Sequence, residues 1–162
     1  MSHENHRYLR TGLSFGLASG AITTLGLIVG LSSGTNNRNV VLAGILTIAI
    51  ADALSDAVGI HLSVESNQDS TPQQIWISTI STFLSKFIFA LSFVVPFVFL
   101  ILQDALWVSI IWGFTLVIAI SVYLARANNE PIWKPVCEHV LITALVVILT
   151  NYVGEYIAYL LY

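Results

Sequence analysis

The chain is predicted to be an all-α membrane protein of five transmembrane helices. Hydrophobic residues make up 56% of the sequence and charged residues only 9%, and the mean hydropathy is +0.83. Soluble domains carry close to a quarter of charged residues, so a water-soluble fold is excluded. The apolar residues also gather into separate stretches of about 20 or more, the length that crosses a bilayer. Short connections join them, which makes residues 1–162 one transmembrane domain.

The first span is read at 11–31. Ten polar residues, MSHENHRYLR, precede an apolar run too long for a signal-peptide core, so this is a retained helix and the segment before it a polar tail. The second span, 40–64, contains acids, yet its length and flanks favour a membrane helix with a polar inner face. The third, 75–102, holds Pro96, which is expected to kink it and free a carbonyl. The fourth and fifth are read at 106–124 and 137–161. Placing the N-terminus in the cytoplasm puts Arg7, Arg10, Arg126 and Lys134 inside and only Arg38 outside, so the predicted topology is N-in, C-out. Cys137 is the only cysteine, and no intramolecular disulfide is possible. The net charge of −3 says little, because the acids that matter lie within spans. No basic cluster exists to neutralise phosphates, so no nucleic acid is expected as a partner.

Asp52 and Asp56 are the candidate functional centre. They stand one helical turn apart on one face of the second span, with Ser55, Gly59 and Ser63 close to that face. A carboxylate in mid-membrane costs roughly 2.5–3.5 kcal/mol on insertion scales, which makes two of them a functional hypothesis by default. At about 1.5 Å per residue, Asp56 lies roughly 12 Å and Asp52 about 18 Å from the cytoplasmic end at Val64. Their oxygens suit a hard or borderline divalent ion such as Mn²⁺ or Fe²⁺, or a proton relay. Paired acids within a span also suit exchange of a metal for protons. The structural alternative is an ion pair with Lys86, about 16 Å above the cytoplasmic end of the third span. One lysine neutralises one of two aspartates, so a mixed arrangement is a further alternative.

Other polar positions have two readings each. Gly12, Gly16 and Gly20 repeat every four residues in the first span, and Ser19, Thr23, Gly26 and Gly30 extend much the same face. Small residues at this spacing make a close helix contact in lipid; the seam either packs the protomer or also lines a pathway at a homodimer interface. Ser78, Ser81, Thr82, Ser85 and Ser92 on the third span line water or hydrogen-bond their own helix. Asn151, Glu155 and Tyr159 share one side of the fifth span, where Glu155 is either an exit-side carboxylate or an interfacial residue. Cys137, Glu138 and His139 do not share a helix face and make a poor metal motif. His3, Glu4 and His6 are read as part of the polar tail, and Glu65 and Asp69 as loop acids that either attract cations or are merely solvated. No Gly-x-Ser-x-Gly elbow or His-Glu-x-x-His pattern is present, and the two aspartates lie on one helix, so an enzyme is not expected.

The segments FGLASGAITTLGLIVGL (Phe15 to Leu31) and LAGILTIAIADALSDAVGIHLSVESNQD (Leu42 to Asp69) resemble the vacuolar iron transporter (VIT) family. SFVVPF (Ser92 to Phe97) and the closing NYVGEYIAYL add weaker support. The resemblance implies a homodimer of five-helix protomers that contacts through the first helix and exports Fe²⁺ or Mn²⁺ in exchange for protons, the metal being substrate with no resident cofactor. Asp56 is then the main ligand and Asp52 a second ligand or proton carrier, with Ser19 and Thr23 adding weaker oxygen ligands. Three departures stand against it. The family's first-helix acid falls at Ser19, and its second-helix methionine falls at Asp56: either the carboxylate has moved across the same pathway or the usual site is lost. The segment between the second and third helices, SNQDSTPQQ and its neighbours, has no room for the Glu-rich metal-binding domain of eukaryotic members. That resembles the short prokaryotic members and points to a plasma membrane. The alternative within the same fold is a non-transporting scaffold held by an Asp–Lys pair.

Overall fold

The computed structural model describes residues 3–161, with side chains for residues 5–161. The helices are α1 (His3–Thr35), α2 (Arg38–Glu65), α3 (Pro72–Ser92), α4 (Val94–Phe99), α5 (Leu102–Ala127) and α6 (Trp133–Leu161). With α3 and α4 taken as one span, five helices are long and apolar enough to cross a membrane. Most ends lie a few residues beyond the apolar stretches, because capping chemistry sets the ends and hydropathy does not. Asn36 (φ 46°) turns the chain out of α1, and the Asn37 side chain accepts from the amides of Asn39 and Val40 to start α2. Thr71 and Gln74 form a reciprocal capping box at the start of α3, with Pro72 in its first turn. Asn129 (φ 56°) closes α5 in a Schellman arrangement, the Glu130 amide reaching the Ala125 carbonyl.

The N-terminal segment corrects the expectation of a polar tail, since α1 already runs from His3. Asn5 is buried, and the Tyr8 hydroxyl lies 3.2 Å from Ser70 Oγ in the α2–α3 loop, which ties this first turn to the bundle. His6 is exposed; the side chains of His3 and Glu4 lie outside the described residues. Pro96 acts as expected. It has no amide to donate to the Ser92 carbonyl four residues back, and α3 ends at Ser92 before α4 resumes at Val94.

The α1 helix is the centre of the bundle and contacts α2, α3, α5 and α6. One half is a conventional apolar core of Leu25, Ile28, Val29, Val41, Ile45, Phe93, Phe97 and Ala105. The other half is a seam of small and polar residues between α1 and α3. A methyl group on Gly12 would collide with Ser81 Oγ and come within 2.5 Å of the Ser78 carbonyl; one on Gly16 would collide with Ser85 Oγ and come within 2.5 Å of the Thr82 carbonyl. On the α6 side, Gly26 and Gly30 face Val146 and Thr150, and Gly34 faces Gly154. The glycine seam is thus filled by α3 and α6 of the same protomer. The first reading, packing within the protomer, accounts for these glycines. The serine stripe of α3 has the backbone-bonding role, with Ser78, Ser81, Thr82 and Ser85 all donating to carbonyls of their own helix.

Candidate ion-binding site

Asp52 and Asp56 both point from α2 toward the junction of α1 and α3, one turn apart, as their spacing dictates. Ser19 and Thr23 are likewise four residues apart on α1 and meet them in register. Ser19 Oγ donates to Asp56 Oδ2 at 2.7 Å, and Thr23 Oγ1 lies 2.9 Å from Asp52 Oδ2 while also back-bonding the Ser19 carbonyl at 2.8 Å. The third wall is Lys86 on α3. Its Nζ is 2.6 Å from Asp52 Oδ2, 2.5 Å from Asp56 Oδ2 and 2.9 Å from Ser19 Oγ. Three helices therefore converge on one cluster of two carboxylates, two hydroxyls and an ammonium.

Exposure differs sharply across the cluster. Lys86 is 1% exposed, whereas the side chains of Asp52 and Asp56 retain 26% and 20%. The carboxylates therefore form the accessible side of the site and Lys86 its closed back. The close approach of α1 and α3 makes this possible, because Gly20 leaves only backbone where Lys86 crosses: an added methyl there would meet Lys86 Cγ at 3.2 Å. Beside the carboxylates, α2 exposes a row of small residues, Ala43, Thr47, Ala51, Ser55, Gly59 and Ser63, and nothing lies within 4 Å of a methyl built on Gly59.

The remaining predicted positions do not join this cluster. Glu155 is exposed on α6 and accepts from Asn151 Nδ2 at 2.9 Å, while Asn151 Oδ1 accepts from Ser33. The Ser33–Asn151 bond fastens α6 to the end of α1, with Glu155 one turn further along α6 and apart from the aspartates. His139 Nδ1 lies 2.8 Å from Ser121 Oγ on α5, away from exposed Cys137. Glu65 and Asp69 are exposed. No group of three or more His, Cys, Asp or Glu residues able to hold a metal occurs among the described residues, so the oxygen set within one chain is Asp52, Asp56, Ser19 and Thr23. Sequence reasoning had no signal for the pairing of His61 with Thr79 (3.0 Å) against Trp76, which lies on the α2–α3 contact.

The sequence model of the VIT family matches residues 13–75. This span takes in Ser19, Thr23, Asp52 and Asp56 and stops short of Lys86. No match was found among curated proteins or among solved structures. Across α1 and α2 the chain is thus similar to the VIT family, within a fold of five helices able to span a membrane.

Proposed function

We propose that the protein is a secondary transporter that moves Fe²⁺ or Mn²⁺ out of the cytoplasm in exchange for protons. One observation carries this reading: Asp52 and Asp56 present paired carboxylate oxygens within a membrane-spanning helix, on its accessible side, with Ser19 and Thr23 oxygens beside them. Oxygen donors of this kind suit hard and borderline divalent ions, and ionisable groups at such depth belong to ion pathways. The hydrogen bond from Ser19 to Asp56 bears on the departure at Ser19. The position where the family places a first-helix acid is in contact with the Asp56 carboxylate, which supports a carboxylate relocated across one pathway rather than a lost site.

A single chain supplies few ligands for a six-coordinate ion, and water or a second copy would complete the set. With the α1 glycines occupied, the α2 row of Ala43, Thr47, Ala51, Ser55, Gly59 and Ser63 is the surface on which a homodimer is proposed; small residues every four positions allow close helix approach in lipid. Such a contact would bring the Asp52 and Asp56 of both copies to one interface. Arg7, Arg10, Arg126 and Lys134 at one end and Arg38 at the other support an N-in, C-out orientation, and the short α2–α3 connection supports the plasma membrane of a prokaryote. The reading is of a carrier, neither an enzyme nor the holder of a resident cofactor.

Asp56→Asn tests it directly. Metal-dependent uptake into proteoliposomes should be abolished while the dimer persists, and unchanged flux would remove Asp56 from the mechanism. The ion pairs of Lys86 with both aspartates favour a second reading, a non-transporting scaffold. That reading predicts that Mn²⁺ leaves the melting temperature of the wild-type protein unchanged, whereas a ligand that binds the folded state raises it.

A further inference from the structure

Lys86 sits where a bound cation would sit. Its ammonium has three hydrogens, and three acceptors surround it: Asp52 Oδ2, Asp56 Oδ2 and Ser19 Oγ. These are the same oxygens that would ligate a transported metal. The carboxylates belong to α2 and the hydroxyl to α1, whereas the ammonium arrives from α3 on a flexible four-carbon stem. The charge that fills the site is therefore carried by a helix other than the two that carry the oxygens. The geometry also differs from that of a simple structural pair. One ammonium against two carboxylates leaves a net charge of −1, and the incompletely neutralised side is the accessible one.

We infer that Lys86 is a tethered cation, which occupies the Asp52–Asp56 site when no ion is bound and is displaced by the transported ion. The inference rests on the transport reading above. It assigns Lys86 a part in specificity. The same two oxygens cannot hold both an ammonium and a metal, so an entering ion competes with an ammonium tethered at high local concentration. A divalent ion gains about twice the Coulomb attraction of a monovalent one at equal distance, so the competition selects for multiply charged ions over Na⁺ or K⁺. The ammonium also keeps the two carboxylates from repelling each other while the carrier is empty.

The chain has only two lysines, Lys86 and Lys134, and Lys134 is exposed, which provides an internal reference. Purified full-length protein is treated with a small amine-reactive reagent with and without saturating Mn²⁺, and modification of each lysine is read by peptide mass spectrometry. Mn²⁺ is expected to raise Lys86 modification several-fold and to leave Lys134 unchanged; unchanged Lys86 modification in protein that transports Mn²⁺ overturns the inference. In parallel, Mn²⁺ binding is compared between the wild type and Lys86→Met. An ammonium within a few ångströms of the ion alters affinity by well over tenfold at protein-like screening, so the variant should bind at least about tenfold more tightly. Equal or weaker binding by folded Lys86→Met, with wild-type flux intact, makes Lys86 a structural partner and leaves the transport reading standing. No Mn²⁺ binding by either folded protein overturns both. Should Lys86→Met fail to fold, the labelling of the wild type decides.

Discussion

Replacing the α1 glycines with alanine in turn probes the seam that holds Lys86 in place. At Gly12 the new methyl would lie 2.5 Å from the Ser78 carbonyl and 3.0 Å from Thr82 Oγ1; at Gly16 it would lie 2.5 Å from the Thr82 carbonyl and 3.1 Å from the Lys86 amide. Backbone atoms do not rotate away, so α1 and α3 must separate. Overpacking of this kind costs about 1–3 kcal/mol, and the better helix propensity of alanine offsets up to about 1 kcal/mol. The net loss expected for Gly12→Ala and Gly16→Ala is about 1–2 kcal/mol, a shift of several degrees in melting temperature. At Gly20 the approaches are 3.2–3.3 Å, all to Lys86, so shifts of a few tenths of an ångström suffice and the net change should be close to zero. Thermal unfolding of the detergent-purified variants, followed by size-exclusion chromatography, reads the order. Gly16→Ala melting at or above the wild type, or Gly20→Ala falling further than Gly16→Ala, would refute the tight α1–α3 seam.

Hydrogen bonds to charged acceptors contribute about 1.5–3 kcal/mol each, so Ser19→Ala should lower stability by that amount. Thr23→Val should cost less, because the Thr23 hydroxyl is shared between Asp52 and the Ser19 carbonyl; chemical denaturation that gave the reverse order would contradict the assignment. Glu155→Gln is expected to leave metal flux unchanged, since Glu155 pairs with Asn151 away from the aspartates, and a loss of flux would return it to the pathway. Ala51→Trp places a large ring on the exposed α2 row. Cross-linking in the membrane should show loss of the dimer with an unchanged protomer melting temperature, and a persisting dimer would mean that the second copy docks elsewhere.

Much of this architecture was legible because a bilayer imposes simple rules. The length of each apolar stretch gave the five spans, the i, i+4 spacing put Asp52 and Asp56 on one face, and the missing amide of Pro96 gave the break in the third span. Rotation of one helix against another was not legible. The depth of Lys86 follows from 1.5 Å per residue, but only packing decides that its stem crosses Gly20 and that its ammonium reaches both carboxylates and not one. The glycine seam shows the same limit. Its spacing announced a close contact without naming the partner, although the matching stripe of Ser78, Ser81, Thr82 and Ser85 was visible on the third span. The stripe on the fifth span shows it too: i+4 spacing identifies a face, but not that Asn151 on that face bonds Ser33 of α1. The extension of α1 to His3 came from polar contacts such as Tyr8 with Ser70, to which hydropathy is blind.

The central claim is that Asp52 and Asp56 form the ion-binding element of a metal–proton exchanger. Purified protein in proteoliposomes, given Mn²⁺ or Fe²⁺ under an imposed pH gradient with internal pH recorded alongside metal uptake, tests it most directly. The account predicts metal flux coupled to an opposite proton flux in the wild type, with both lost in Asp56→Asn. Absence of flux for either metal in folded wild-type protein, or uncoupled flux that survives Asp56→Asn, would contradict it.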